Sequence, residues 1–172
     1  LDFADAQGDK FVLEILQAMG ADIAIDTEQK KLKINSQNGS KLIGRVIDIN
    51  NVIDSLPILA VLACYASSET ELINCEIARF KESDRLSAIT QELTKMGADI
   101  IELQDRLIIK PAKLHHAMTD SHHDHRIAMS IAIAALGVKG VSKNNLTHTK
   151  INNTDCINKS YASFVDDLKK IV

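Results

Sequence analysis

Flat rings are scarce in this chain: aromatic residues make up 3% of its 172 positions, and tryptophan is absent. A protein so poor in aromatics has few surfaces on which nucleic-acid bases could stack. A basic excess is missing too, since 20 lysines and arginines face 23 aspartates and glutamates, for a net charge of −3. The electrostatic footprint of a general nucleic-acid binder is therefore not there. With only 7 glycines and 2 prolines, collagen-like repeats and low-complexity linkers are excluded. Cys64, Cys75 and Cys156 are an odd number at wide spacing with no C-x-x-C pair. They predict free thiols, buried or half-buried, in a reducing compartment. The longest apolar stretch, 127–138, is broken by Ser130 and is too short to span a bilayer. No charged-then-apolar leader opens the sequence, so the expectation is a cytoplasmic protein with no membrane partner.

What the chain does have is apolar content, 45% of residues, enough to bury the core of one domain. It also repeats itself. Met19-Gly20-Ala21-Asp22-Ile23 recurs as Met96-Gly97-Ala98-Asp99-Ile100, and Val12 and Leu16 match Ile89 and Leu93. That spacing predicts two helices with one apolar face. Each would end at a glycine suited to positive φ and lead into a strand pair, at 22–26 with 31–35 and at 99–103 with 106–110. A second pair of segments aligns Asp54 through Ala63 with Asp124 through Ile133. Both start with Asp and continue with hardly any polar face, which predicts helices buried on all sides. Pro57 fits the first turn of its helix. Strands are expected next, at 71–76 and 142–147, each leading to an amphipathic helix. The last helix would carry Tyr161, Phe164, Val165, Leu168 and Ile171 on one face. The period of about 75 residues is too long for a short solenoid repeat. It describes an α/β (α+β) domain of about three pseudo-equivalent units with some helices inside, the third unit lacking its strand pair. The start at Leu1, without Met and strand-like, reads as a piece of something longer.

The charged residues gather at expected helix starts. Asp54 precedes one inner helix, and Asp124-His125-Arg126 precedes the other. Lys81-Glu82-Ser83-Asp84-Arg85 opens the helix that reaches Met96, and Lys159 lies near the start of the last. If the units are related by rotation, these starts converge on one surface. Converging helix N-termini and the charges of Lys81, Arg85, Arg126 and Lys159 suit phosphate or carboxylate groups. The plainer alternative is that Asp84 and Asp124 are ordinary caps and the arginines surface residues. His115, His116, His122, His123 and His125, with Asp120 and Asp124, invite a zinc reading, but their spacing is irregular. The segment 114–121 reads as a polar connecting loop.

Phe80-Lys81-Glu82-Ser83-Asp84-Arg85-Leu86, then Met96-Gly97-Ala98, then His123-Asp124-His125-Arg126-Ile127-Ala128-Met129 resemble the 3-phosphoshikimate 1-carboxyvinyltransferases, the EPSP synthase family. The segment from Val52 to Ala63 is similar to the stretch around that family's catalytic aspartate. Gln7-Gly8-Asp9, and Asp155-Cys156 through Lys159 and Phe164, fit as well. The matches run in order along essentially the whole chain.

The resemblance implies an inside-out, EPT/RTPC-like domain of about three βαβαββ units. It implies that 1–172 is a single domain, the phosphoenolpyruvate-side half of a two-domain enzyme. The family's opening Gly-Ser-Lys segment and its other domain have no counterpart in these residues. The implied reaction moves the enolpyruvyl group of phosphoenolpyruvate to the 5-hydroxyl of shikimate 3-phosphate, in the pathway to aromatic amino acids. Such a fragment would be inactive alone. Asp54 would be the base or hydroxyl-orienting carboxylate, and Glu82 the proton donor and later acceptor. Lys81 would face the shikimate 3-phosphate side, while Arg85, Arg126 and Lys159 grip phosphoenolpyruvate. Asp124 and His125 would support the intermediate. No metal or organic cofactor is implied.

One departure is that some family members carry Asn where Ile77 stands here, so that substrate contact is not carried over. The resemblance gives His115, His116, His122 and His123 no role. Two alternatives stand beside it. One is an enzyme like the UDP-N-acetylglucosamine enolpyruvyl transferases, against which K-E-S-D-R argues. The other is a non-catalytic anion- or metal-binding module on the same scaffold.

Overall fold

The computed structural model describes residues 10–35, 42–140 and 146–171. The strand-like start and Gln7-Gly8-Asp9 lie outside them. At the centre is one complete βαβαββ unit, preceded by one helix and two strands (α1, Phe11–Ala18; β1, Asp22–Asp26; β2, Lys31–Asn35); it runs β3 (Val46–Asp48), α2 (Leu56–Tyr65), β4 (Thr70–Ile73), α3 (Arg85–Lys95), β5 (Asp99–Glu102) and β6 (Leu107–Lys110). Its sheet has the order β3-β4-β6-β5. β3 and β4 are parallel, as a crossover through α2 requires, and the remaining pairs are antiparallel. Before it come α1 (Phe11–Ala18) and the antiparallel hairpin of β1 (Asp22–Asp26) and β2 (Lys31–Asn35). After it come β7 (Met118–Asp120), α4 (His125–Leu136) and β8 (Lys150–Asn152), with β7 and β8 parallel like β3 and β4. The flanking parts thus copy the last and first halves of the central unit, and the chain has the mixed α+β architecture the repeat implied.

Local sequence explains the repeated joints. In α3, Leu86, Ile89, Leu93 and Met96 form one buried stripe. Gly97 N–H then bonds to Thr94 O, and Ala98 N–H to Leu93 O, both at 2.9 Å. The same two bonds close α1, from Gly20 to Gln17 and from Ala21 to Leu16, again at 2.9 Å. These are paired Schellman closures, and Gly20 and Gly97 take the positive φ they require, +96° and +94°. The α2 helix is apolar around its circumference and largely buried, with Pro57 in its first turn. It packs against α4 and α3 and on the inner face of the central sheet, where Leu72, Leu107 and Ile109 point into the core.

Four expectations need correction. The α4 helix buries one face only: Ile127, Ile131 and Ala134 are inside, whereas Leu136 is exposed and Met129 half-buried, because one side of α4 borders a groove. Of the strand expected at 142–147, residues 142–145 lie outside the described residues and 146–147 are not strand; the strand described in this region is β8 at Lys150–Asn152. Its position is dictated by the partner strand, through Lys150 N–H to Ala117 O and Ser121 N–H to Asn152 O. That partner, β7, falls within the stretch expected to be a loop. The last helix shrinks to α5 (Phe164–Leu168) and buries none of its residues. A 3-10 stretch, Thr154–Lys159, precedes it, so Lys159 ends one element rather than starting the next. Only Phe164 of the expected stripe joins a core cluster, beside Ala128, Cys156 and Ile157.

Candidate active site

The convergence of helix starts is real, and its centre is Arg85. The side chain leaves the first residue of α3 and is 1% exposed. Its donors fan out to three carboxylates, one before α2, one at the start of α4 and one in the loop that leads into α3 itself. Nε bonds Asp124 at 2.7 Å, Nη1 bonds Asp54 at 2.7 Å, and Nη2 bonds Glu82 at 2.5 Å. A rigid, planar fork is the one side chain that can fix three acids at set angles. Asp124 is 0% exposed and caps α4 by accepting Arg126 N–H at 2.8 Å. It also accepts the Ser83 hydroxyl at 3.1 Å. Asp84 is the cap of α3, accepting Ser87 N–H. The cap reading therefore holds for both aspartates, and Asp124 has the second task of pairing Arg85.

Asp54 sits on the open side of this hub, near the end of the 3-10 stretch Asn50–Ser55 that leads into α2. Lys81 Nζ lies 3.1 Å from one of its oxygens. Arg126 Nη2 lies 3.5 Å from the other, and Arg126 Nη1 donates to the Asp54 carbonyl at 3.1 Å. Burial pushes the Asp54 carboxyl up, but the Lys81 hydrogen bond and the charges of Arg126, Arg85 and Lys81 outweigh it and hold the group below its ordinary value. For Asp124 burial again raises, and the Arg85 hydrogen bond and charge, with Arg126 N–H and Ser83, bring the net shift below the ordinary value. Both groups are thus held as carboxylates.

Six of the eight residues singled out from sequence come together here: Asp54, Lys81, Glu82, Arg85, Asp124 and Arg126. His125 is half-buried in the first turn of α4, and Lys159 is exposed at the end of its 3-10 stretch. Neither makes an ion pair among the described residues. Beside Asp54 and Arg126 opens a groove of about 280 Å³, whose walls include Ile58, Met129, Ile133 and Phe164. Ser130 and Tyr161 complete the lining, so the charged pair of Asp54 and Arg126 borders a largely apolar trough.

The histidine stretch does other work. The His115 ring lies beneath Gly97, His116 faces the Thr149 hydroxyl, and His122 Nε2 is 2.7 Å from the buried Glu92 carboxylate. No group of three or more metal-type ligands is arranged around a common point among the described residues. All three cysteines are buried free thiols, and burial pushes Cys64 and Cys75 up to about 12. No helix among the described residues is long and apolar enough to cross a membrane. Sequence reasoning missed Ser83 as a partner of Asp124, and Arg79, which pairs with Asp84 and Glu102. The signal for Ser83 was its place inside the K-E-S-D-R run, and for Arg79 its position two residues before that run.

The chain is similar to known proteins along nearly its whole length. Residues 1–168 match the family described as EPSP synthase (3-phosphoshikimate 1-carboxyvinyltransferase). The 3-phosphoshikimate 1-carboxyvinyltransferase of Ruminiclostridium cellulolyticum is 47% identical over 98% of this chain and 37% of its own length. That of Chlamydia pneumoniae is 44% identical over 98% of this chain and 35% of its own length. A solved EPSP synthase from Acinetobacter baumannii is 28% identical, with a TM-score of 0.77 over 95% of this chain and 39% of that one. The chain spans about a third of the length of the curated relatives it matches.

Proposed function

The chain belongs to the EPSP synthase family, and on that premise we propose that it is the phosphoenolpyruvate-side domain of a cytoplasmic 3-phosphoshikimate 1-carboxyvinyltransferase. Residues 1–172 would act as a single domain across a cleft from a second domain of the same enzyme. The reaction adds the 5-hydroxyl oxygen of shikimate 3-phosphate to C2 of phosphoenolpyruvate while C3 takes up a proton. It then expels phosphate as C3 gives a proton back. Such a sequence needs a base at the hydroxyl, an acid that can reverse its role at C3, and fixed cations around the anionic groups.

The residues supply each part. Asp54, kept ionised by its cations, orients the hydroxyl and takes its proton. Glu82, half-exposed and steadied through Arg85, delivers and later recovers the proton at C3. Arg126 and Lys159 hold phosphoenolpyruvate, and Lys81 faces the shikimate 3-phosphate side. Asp124 and His125 support the intermediate from the start of α4. A substrate carboxylate reaches Arg85 only in exchange for Asp54 or Glu82, because its third partner, Asp124, is fully buried. Half a cleft leaves the substrates unclamped, so the 172 residues alone should turn over little.

The observation that carries this reading is the meeting of Asp54, Lys81, Glu82 and Arg126 around one buried guanidinium. Its test is steady-state turnover of the full-length protein with Lys81→Ala, Glu82→Ala and Arg126→Ala. Each should lose about 100-fold or more, the scale of a lost acid or fixed cation. Turnover surviving all three would refute it.

A further inference from the structure

We infer that Arg79 is a positioning residue for this reaction: its guanidinium clasps the loop 80–83 from behind and sets where Lys81 and Glu82 stand. The inference rests on the function proposed above.

Lys81 and Glu82 need such an anchor. The 3-10 stretch Glu76–Phe80 stops at Lys81, which is extended at φ −91° and ψ −156°, and α3 starts only at Arg85. Between them the loop has little apolar hold of its own. Phe80, its one large apolar side chain, is 86% exposed. The Lys81 and Glu82 side chains reach the other way, toward Asp54 and Arg85.

Arg79 closes this loop at its base. Nη1 pairs with Asp84 at 3.0 Å, so the two residues bracketing 80–83 are joined to each other. The same guanidinium is bound to the β5–β6 hairpin, by Nη1 to Glu102 at 2.7 Å, Nη2 to Leu103 O at 2.7 Å and Nε to Gln104 O at 3.0 Å. Ser87 Oγ donates to the same Glu102 oxygen at 2.8 Å, which ties in the first turn of α3. Two carboxylates and two carbonyls at fixed angles use all three guanidinium nitrogens. A lysine in this place keeps the charge and loses the fork. Asp84 caps α3 with the carboxylate that Arg79 holds, so a shift of the clasp moves both ends of the loop. Arg126 and Lys159 stand on α4 and the segment after β8 and make no bond to Arg79; Arg126 meets the loop only indirectly, through the Asp54 carboxylate that it shares with Lys81.

The contrast gives the readout. In the full-length protein, Arg79→Lys should lower kcat about 10- to 100-fold, the cost of an ångström-scale misplacement of a reacting group. KM for shikimate 3-phosphate should rise with the displaced Lys81, while KM for phosphoenolpyruvate stays within about threefold. Glu102→Gln keeps the side-chain shape and weakens the clasp; it should show the same split with a smaller loss of kcat, and it decides the matter if Arg79→Lys does not fold. Unchanged kcat in folded variants, or losses that merely track the folded fraction, would overturn the inference. Absence of turnover in the wild-type protein would instead sink the reaction proposed above, and this inference with it. A normal wild type beside an unaltered Arg79→Lys would sink this inference alone.

Discussion

Asp54 and Asp124 occupy the same place in two repeats, 70 residues apart, each at the entrance to an inner helix. Both bind Arg85 at 2.7 Å, yet their surroundings differ. Asp124 is sealed, caps its helix and spends every contact on the protein. Asp54 is 35% exposed, caps nothing, and shares its outer oxygen with Arg126 beside an open groove. The repeat places the two carboxylates at equivalent positions, and the side chains around them set their exposure: Ser83 and Arg85 close over Asp124, while Lys81 and Arg126 stand beside Asp54. On the function proposed above, the sealed copy is framework and the open one is the reactive carboxylate.

Replacing each acid by alanine should pull the two apart most widely. Asp124→Ala strands a buried guanidinium and should cost about 3–5 kcal/mol in urea unfolding, the usual penalty for breaking one side of a buried pair. Asp54→Ala leaves Arg85 paired with Asp124 and Glu82 and gives its remaining cations access to water, so its cost should be about 1 kcal/mol or less. Turnover of the folded Asp54→Ala protein should nevertheless collapse. Equal destabilisation by the two would break the distinction between framework and reactive carboxylate.

Acid titration sharpens the same contrast with a smaller effect. Both carboxyls are held below their ordinary value of 3.8 in the folded chain. The unfolded chain therefore takes up their protons first, so their stabilisation is complete above that value and is lost as pH falls through the lower folded values. Unfolding followed from pH 6 down to about pH 2, a range set by ordinary carboxyl values, should steepen below pH 4. Asp124→Asn should flatten that acid limb, and Asp54→Asn should change it much less.

How much of this was legible in the sequence depended on how local the cause was. The Met-Gly-Ala-Asp-Ile joints were readable because the Schellman closure is made by neighbours in the chain. The inner helices were readable from their continuous apolar character, and the converging charges from their place at helix starts. β7 was not, since Met118-Thr119-Asp120 has no strand period and is a strand only because Lys150–Asn152 lies beside it. The final helix looked longer than it is because its apolar spacing continues through 160–163, where the backbone turns instead. Arg79 was invisible as a clasp because three of its acceptors lie 23 to 25 residues downstream, two of them carbonyls without a side-chain signature. Asp54 and Asp124 lay between these cases. Their positions followed from the repeat, while their burial depended on α3, which no local pattern relates to either.

The smallest expected effect puts repetition itself to the test. Gly20 and Gly97 have the same φ within a few degrees and close the same motif. A Cβ on Gly20 would meet nothing within 4 Å, whereas one on Gly97 would lie 2.9 Å from the His115 ring. Gly20→Ala should therefore cost only the left-handed backbone penalty, about 1 kcal/mol. Gly97→Ala should cost about 1 kcal/mol more, the scale of a local overpacking. His115 N–H is bonded to Met96 O at 2.8 Å, which fixes the base of the ring against the helix end and leaves it little room to withdraw. In a His115→Ala background the excess should vanish and the two glycines should cost the same to replace. An excess that persisted there would place the difference in the backbone, and the two repeats would then differ in the joint itself and not only in what surrounds it.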